Sequence, residues 1–259
     1  MKTRLRRLAL GACLAVGISP VQAALTVNMT RIVFDSDKRS TSVLVGNPSP
    51  RDYAVQVWVN TAADDTSTKV PLEASPGLFK LNASKGERAQ QQMVQINRLP
   101  NSLSRKCETL FYLNVQEIPP VNAEDENVLN IALRTRIKLF YRPSELKTRP
   151  DEQIKDLQWS VRQVAGRTQL VVDNPTPFHY TFARLEVSGG GATEALQARD
   201  MATPHNRQTF DLQRIRTVDG LTLTFTTLND YGVPTPVVTK PLSVSRATDV
   251  PTPESCLER

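Results

Sequence analysis

Apolar residues recur along this chain at period two in short segments, not in helical stripes. Between Tyr53 and Val59, the apolar Tyr53, Val55, Val57 and Val59 alternate with Ala54, Gln56 and Trp58. That spacing predicts a strand with two unlike faces. Val43-Leu44-Val45, Phe111 to Val115, Leu170 to Val172 and Leu221 to Phe225 are further short runs rich in β-branched or aromatic residues. Asn, Pro, Gly or Asp bounds each of them, so they also read as strands. No long segment holds a 3.6-residue apolar stripe without a Pro or Gly interruption. Only Glu194 to Met201 admits a helical turn. Gly189-Gly190-Gly191 reads as a hairpin tip.

One segment stands apart. From Leu129 to Tyr141 the odd positions carry Leu129, Ile131, Leu133, Thr135, Ile137, Leu139 and Tyr141. The even positions carry Asn130, Ala132, Arg134, Arg136 and Lys138, then Phe140. About 13 residues of near-unbroken alternation exceed the usual strand of about 5–6. At ~3.3 Å per residue such a strand reaches beyond its own sheet. An aliphatic row beside a cationic row is a template for pairing with another chain, although by itself the run reads first as a long core strand.

An internal echo points to two similar domains. Asn47-Pro48-Ser49-Pro50-Arg51-Asp52-Tyr53 returns as Asn174-Pro175-Thr176-Pro177-Phe178-His179-Tyr180, each copy between two strands. Strands every 8–12 residues with such corners suggest β-sandwiches of about 100 residues each. The hinge falls between Arg142-Pro143 and Arg149-Pro150, which divides the chain into 24–143, a linker 144–150, and 151–259. The turn residue His179 is read as a packing group.

The N-terminus changes how the charge is understood. Of 259 residues, 32 are Lys or Arg and 26 are Asp or Glu, a formal net charge of +6. Lys2, Arg4, Arg6 and Arg7 account for most of that excess, and the remaining charges interleave as on a solvated surface. The balance argues against nucleic-acid binding. The four cations precede an apolar run from Leu8 to Ile18, too short for the ~20 residues of a membrane span and suited to a signal-peptide core. Val21-Gln22-Ala23 then supplies a cleavage site after Ala23, so residues 1–23 are expected to be removed. Leu10-Gly11-Ala12-Cys13 also fits a lipoprotein box, but too few apolar residues separate Arg7 from Cys13. The mature chain is expected to be exported, without membrane insertion, and to keep only Cys107 and Cys256, far from a disulfide scaffold.

Catalytic chemistry has little to stand on. The two histidines, His179 and His205, show no metal-ligand spacing, and neither a Gly-x-Ser-x-Gly elbow nor a phosphate loop occurs. No cofactor or metal is expected, and the chain is read as a non-enzyme.

The motifs Thr30-Arg31-Ile32-Val33-Phe34, Glu108 to Asn114, Glu117-Ile118-Pro119-Pro120, Asn127 to Pro143 and Asn229-Asp230-Tyr231-Gly232 resemble, in the same order, the periplasmic chaperones of the chaperone–usher pilus pathway, the PapD-like family. The likeness spans nearly the whole mature chain. It implies an all-β protein of two tandem immunoglobulin-like sandwiches in an L-shaped arrangement around a cleft. It also implies partners: pilus subunits whose own sandwich lacks a strand, and an outer-membrane usher that receives them. Leu129, Ile131 and Leu133 match the donor-strand residues that enter the subunit's groove. Burying three such side chains contributes roughly 5–9 kcal/mol before binding costs.

Arg31 and Lys138 match the two cations that hold the subunit's C-terminal carboxylate. Glu108, Arg142 and Asp230 match an inter-domain ion network. The short acidic connection Pro119 to Glu126 resembles the short-loop branch of the family. Many relatives carry a cysteine pair late in the second domain; here Cys256 has only Cys107, in the first domain, as a mate, and their pairing is left open. So is self-association of the free protein. The alternative is an exported two-domain structural or adhesive surface subunit, which would lack a complete final strand and would not pair Arg31 with Lys138.

Overall fold

The period-two segments assemble into four sheets, two per sandwich. The computed structural model describes residues 25–65, 67–85, 89–120, 131–197, 201–245 and 256. The first half contains β1 (Thr26–Val27), β2 (Arg31–Asp35), β3 (Ser40–Asn47), β4 (Tyr53–Asn60), β5 (Leu72–Ser75), β6 (Leu78–Leu81), β7 (Gln90–Arg98), β8 (Thr109–Ile118) and β9 (Arg134–Arg142). One sheet runs in the order β1-β3-β7-β5 and the other β2-β9-β8-β4-β6. Between them Phe34, Val43, Val45, Val55, Val57, Val94, Ile96, Leu113, Ile137 and Leu139 form a buried core.

The second half follows a 3-10 turn at Pro150–Asp156, which the hydrophobic pattern does not announce. Its strands are β10 (Gln158–Val164), β11 (Arg167–Asn174), β12 (Phe182–Gly189), β13 (Ala192–Ala195), β14 (Asn206–Asp211), β15 (Thr222–Thr227), β16 (Val238–Pro241) and β17 (Ser243–Val244). They form sheets β14-β11-β10-β17 and β13-β12-β15-β16. Trp159 packs on Phe182 and Phe225, with ring centroids 5.3 and 5.0 Å away.

The repeated corner is one device used twice. Asn47 Nδ2 donates to the carbonyls of Arg51 (2.7 Å) and Asn82 (2.9 Å), while Asn47 Oδ1 accepts from the Ser49 amide (3.0 Å). Asn174 Nδ2 donates to Phe178 (2.7 Å) and Thr203 (2.9 Å), and Asn174 Oδ1 accepts from the Thr176 amide (3.0 Å). A buried corner needs its main-chain groups satisfied, and one amide side chain meets several of them.

Three expectations change. The helical turn at Glu194 is strand instead: β13 pairs with β12 across the Gly189–Gly191 tip, as the glycines predict. The Glu194 carboxylate is buried and accepts from the amides of Gln213 (2.6 Å), Arg214 (2.8 Å) and Ile215 (3.3 Å). The long alternating strand is shorter than its pattern: β9 begins at Arg134. Among the described residues, the last hydrogen bond from β8 to this segment runs from the Glu117 amide to the Leu133 carbonyl, 3.0 Å. Beyond it β8 ends at Ile118 and gives way to Pro119-Pro120, which have no N–H to continue the ladder. His179 is more than packing: its ring lies 5.6 Å from Phe140, and its Nδ1 lies 3.3 Å from Glu108 Oε2.

Candidate functional site

Because side chains alternate, β9 serves two surfaces. Its odd row begins with Ile131 and Leu133, 61% and 54% exposed, and passes through Thr135 into the core with Ile137, Leu139 and Tyr141. Leu129 lies outside the described residues. The even row carries Arg134, Arg136, Lys138, Phe140 and Arg142 onto the other face, where the last three meet the second sandwich.

The edge of β9 is open over part of its length. β2 pairs with it in parallel only from Arg31↔Lys138 to Asp35↔Arg142. Upstream of Arg31 the chain has crossed to the opposite sheet, where β1 pairs with β3 and the Asn28 amide donates to Leu44 O at 3.2 Å. Among the described residues, no strand therefore covers that edge from Arg134 to Ile137. An exposed edge of this kind presents main-chain donors and acceptors to another chain.

Two cations mark where the open edge stops. Arg31 and Lys138 are direct partners in the β2–β9 register. Lys138 Nζ donates to Thr181 Oγ1 of the second sandwich at 3.0 Å, and Arg31 Nη1 donates to the Leu228 carbonyl at 3.2 Å. Arg31 is only 9% exposed, and its buried Nε has no hydrogen-bond partner among the described residues. Burial first, and the Arg31 charge second, push Lys138 down to about 8. Burial likewise lowers Arg31, opposed by Asp230 and Glu108. Two cations held together against burial and mutual repulsion favour a bound anion, which relieves both.

Behind this pair, Arg142 ties the two sandwiches together. Its Nε donates to Glu108 Oε1 (2.7 Å), and its Nη1 and Nη2 donate to Asp230 Oδ2 and Oδ1 (2.6 and 2.8 Å). Glu108 Oε2 accepts from the His179 amide at 2.9 Å, and the Glu108 amide donates to Pro177 O at 2.9 Å. Burial alone would lower Arg142; the bonds to Asp230 and the nearby Glu108 charge more than offset it, and the guanidinium is held firmly charged.

Cys107, adjacent to Glu108, is bonded to Cys256 with Cα atoms 5.6 Å apart. The first sandwich is thus covalently joined to the chain beyond β17. The expected trio Glu108, Arg142 and Asp230 is brought together, as are Arg31 and Lys138. Thr181, which meets Lys138, and Asp64, which meets Arg134, were not singled out from the sequence; neither belongs to a motif that marks it.

Comparison with known proteins follows the same division. Residues 24–147 match the N-terminal domain model of PapD, the pili and flagellar-assembly chaperone, and residues 152–238 match the C-terminal domain model of the pili assembly chaperone PapD. The chaperone protein PapD of Escherichia coli is 34% identical over 218 residues, 83% of this chain and 85% of that one. The crystal structure of the YadV chaperone superposes with a TM-score of 0.73 at 26% identity, covering 85% of this chain and all of that one. The fold is also shared, at 23% identity and a TM-score of 0.71, with SafB, a Salmonella enterica chaperone solved in complex with the SafA pilin; the match covers 85% of this chain and 97% of that one. Both domain models and the relatives agree with the sequence motifs and the paired sandwiches: this chain belongs to the PapD family of pilus-assembly chaperones.

Proposed function

We propose that the chain acts in the periplasm, where it binds pilus subunits, completes their fold with the segment leading into β9, and hands them to an outer-membrane usher. The observation that carries this reading is the open edge of β9 ending at Arg31 and Lys138. A guest strand on that edge, with its terminal carboxylate on the two cations, runs in the direction of β9 and stops where β2 begins. The pairing is therefore parallel. Main-chain bonds along the edge supply affinity, and the carboxylate sets the register. Charge-assisted bonds to a carboxylate contribute about 1.5–3 kcal/mol each. Ile131 and Leu133, exposed beside the edge, would fill the guest's apolar groove, continued by Leu129.

Glu108, Arg142 and Asp230 hold the domains so that Lys138 and Thr181 face one another. The role is one of binding, not catalysis. Removal of residues 1–23 is supported by the start of the first family match at residue 24, and a division near the linker 144–150 by the break between one match ending at 147 and the next starting at 152. The short acidic connection after Pro119 is read as that of the short-loop branch.

Co-expression with candidate pilins in a periplasm tests the reading. The wild-type chain should yield a soluble one-to-one complex, and Arg31→Ala or Lys138→Ala should lose it while remaining folded. Polymers in place of a complex would favour a surface subunit instead.

A further inference from the structure

A second hydrogen-bonded chain meets β9 at its first residue. Asn114 Nδ2, on β8, donates to Asn60 Oδ1 at the end of β4 (2.9 Å), and Asn60 Nδ2 donates to Asp64 Oδ1 (2.7 Å). Asp64 then accepts from Arg134, with Nη1 at 3.2 Å from Oδ1 and Nη2 at 2.6 Å from Oδ2. Arg136 Nη2 lies 3.8 Å from the same carboxylate, donates to Thr61 O at 2.6 Å, and its guanidinium sits 3.9 Å from the centre of the Tyr112 ring. The Asp64 amide closes the turn onto Thr61 O (3.2 Å), with φ at 58°. This left-handed conformation is one that Asp tolerates better than most residues.

The location gives this relay its meaning. Arg134 is the first ladder residue of β9, and only the Glu117–Leu133 bond lies upstream of it among the described residues. Strand ends fray when few contacts hold them. A frayed end would have to be ordered at the moment a guest arrives, which weakens binding. Here Arg134 is pinned from the opposite face by a carboxylate tied to the buried Asn60, and Arg136 lies 3.8 Å from the same carboxylate while bonded to Thr61 O in its turn.

We propose that Asp64 is a positioning residue for the donor strand: by holding Arg134 and Arg136, it fixes where and in which direction Ile131 and Leu133 leave the sheet. The inference rests on the strand-donation reading above. It predicts an effect in the free protein as well as in capture. In Asp64→Ala, the Glu117 amide, bonded to Leu133, should exchange hydrogen about tenfold faster, while the Leu113 amide deeper in β8 keeps its rate and the melting temperature holds.

Capture of the pilin that the wild-type chain retains on co-expression should fall about tenfold. Asp64→Asn, which keeps the left-handed turn and an acceptor oxygen, should lose less than Asp64→Ala. Unchanged exchange at Glu117, unchanged capture, or a fall in capture that merely follows a fall in melting temperature would each overturn the proposal. Capture that survives Ile131→Asp would instead contradict strand donation itself; the Glu117 exchange rate then decides whether Asp64 orders the strand.

Discussion

At the scale of single residues, the chemistry concentrates in Lys138. Its burial, and then the charge of its neighbour Arg31, push the ammonium down to about 8, so the free protein begins to lose that proton in mildly alkaline solution. A bound carboxylate favours the charged form, so the complex keeps the proton to higher pH. Between the two pKa values the complex holds more protons than its separated parts, and affinity must fall as pH rises. Subunit affinity is thus expected to be level below about pH 8 and to weaken above it, approaching tenfold per pH unit. Titration calorimetry across that range measures it. Lys138→Arg, which stays protonated, should flatten the decline. A wild-type profile without that decline would remove Lys138 from the anchor.

At the scale of elements, β9 shows what a pattern can and cannot reveal. The alternation from Leu129 to Tyr141 correctly separates an aliphatic row from a cationic row. It does not mark where the ladder stops, because that depends on the neighbouring strand: β8 gives way to Pro119-Pro120 opposite the upstream part of the run. The Asn-Pro corners were legible because each repeats one short motif, and the bonds that shape it, from Asn47 to Ser49 and Arg51 and from Asn174 to Thr176 and Phe178, lie within four residues. Asp64 was not. In the chain it is half of an Asp-Asp pair in a polar turn, and its role appears only when the β4–β8–β9 register brings Arg134 beside it. Glu194 was misread for the same reason, since its partners at Gln213 to Ile215 come from a distant loop. The exposed part of the odd row carries its own expectation. Ile131→Leu preserves volume and should cost less than about 1.5 kcal/mol of subunit affinity, as a competition assay between the two forms would show.

At the scale of the whole molecule, the site exists only while the two sandwiches keep their relation. Lys138 reaches Thr181, Arg31 reaches Leu228, and Arg142 bridges Glu108 to Asp230. The Cys107–Cys256 bond gives the second sandwich another covalent link to the first besides the hinge. Its possibility was visible in the cysteine count, but its formation depended on Cys256 lying beside Cys107 in three dimensions. Arg142→Ala would leave the buried Glu108 carboxylate without its cation, at a cost of about 3–5 kcal/mol. Urea unfolding should show that loss and should begin to separate the two sandwiches into distinct transitions. A loss below about 1 kcal/mol, as is usual for exposed pairs, would mean that the network does not hold the domains.

The most direct measurement is subunit capture by the Ile131→Asp variant. It places a carboxylate in the row that must enter an apolar groove, at a position already exposed in the free protein, so folding should be untouched while burial on binding becomes strongly unfavourable. The account predicts a variant with wild-type melting temperature that no longer retains any pilin on co-expression. A folded Ile131→Asp chain that still yields the one-to-one complex would show that this segment does not complete the guest.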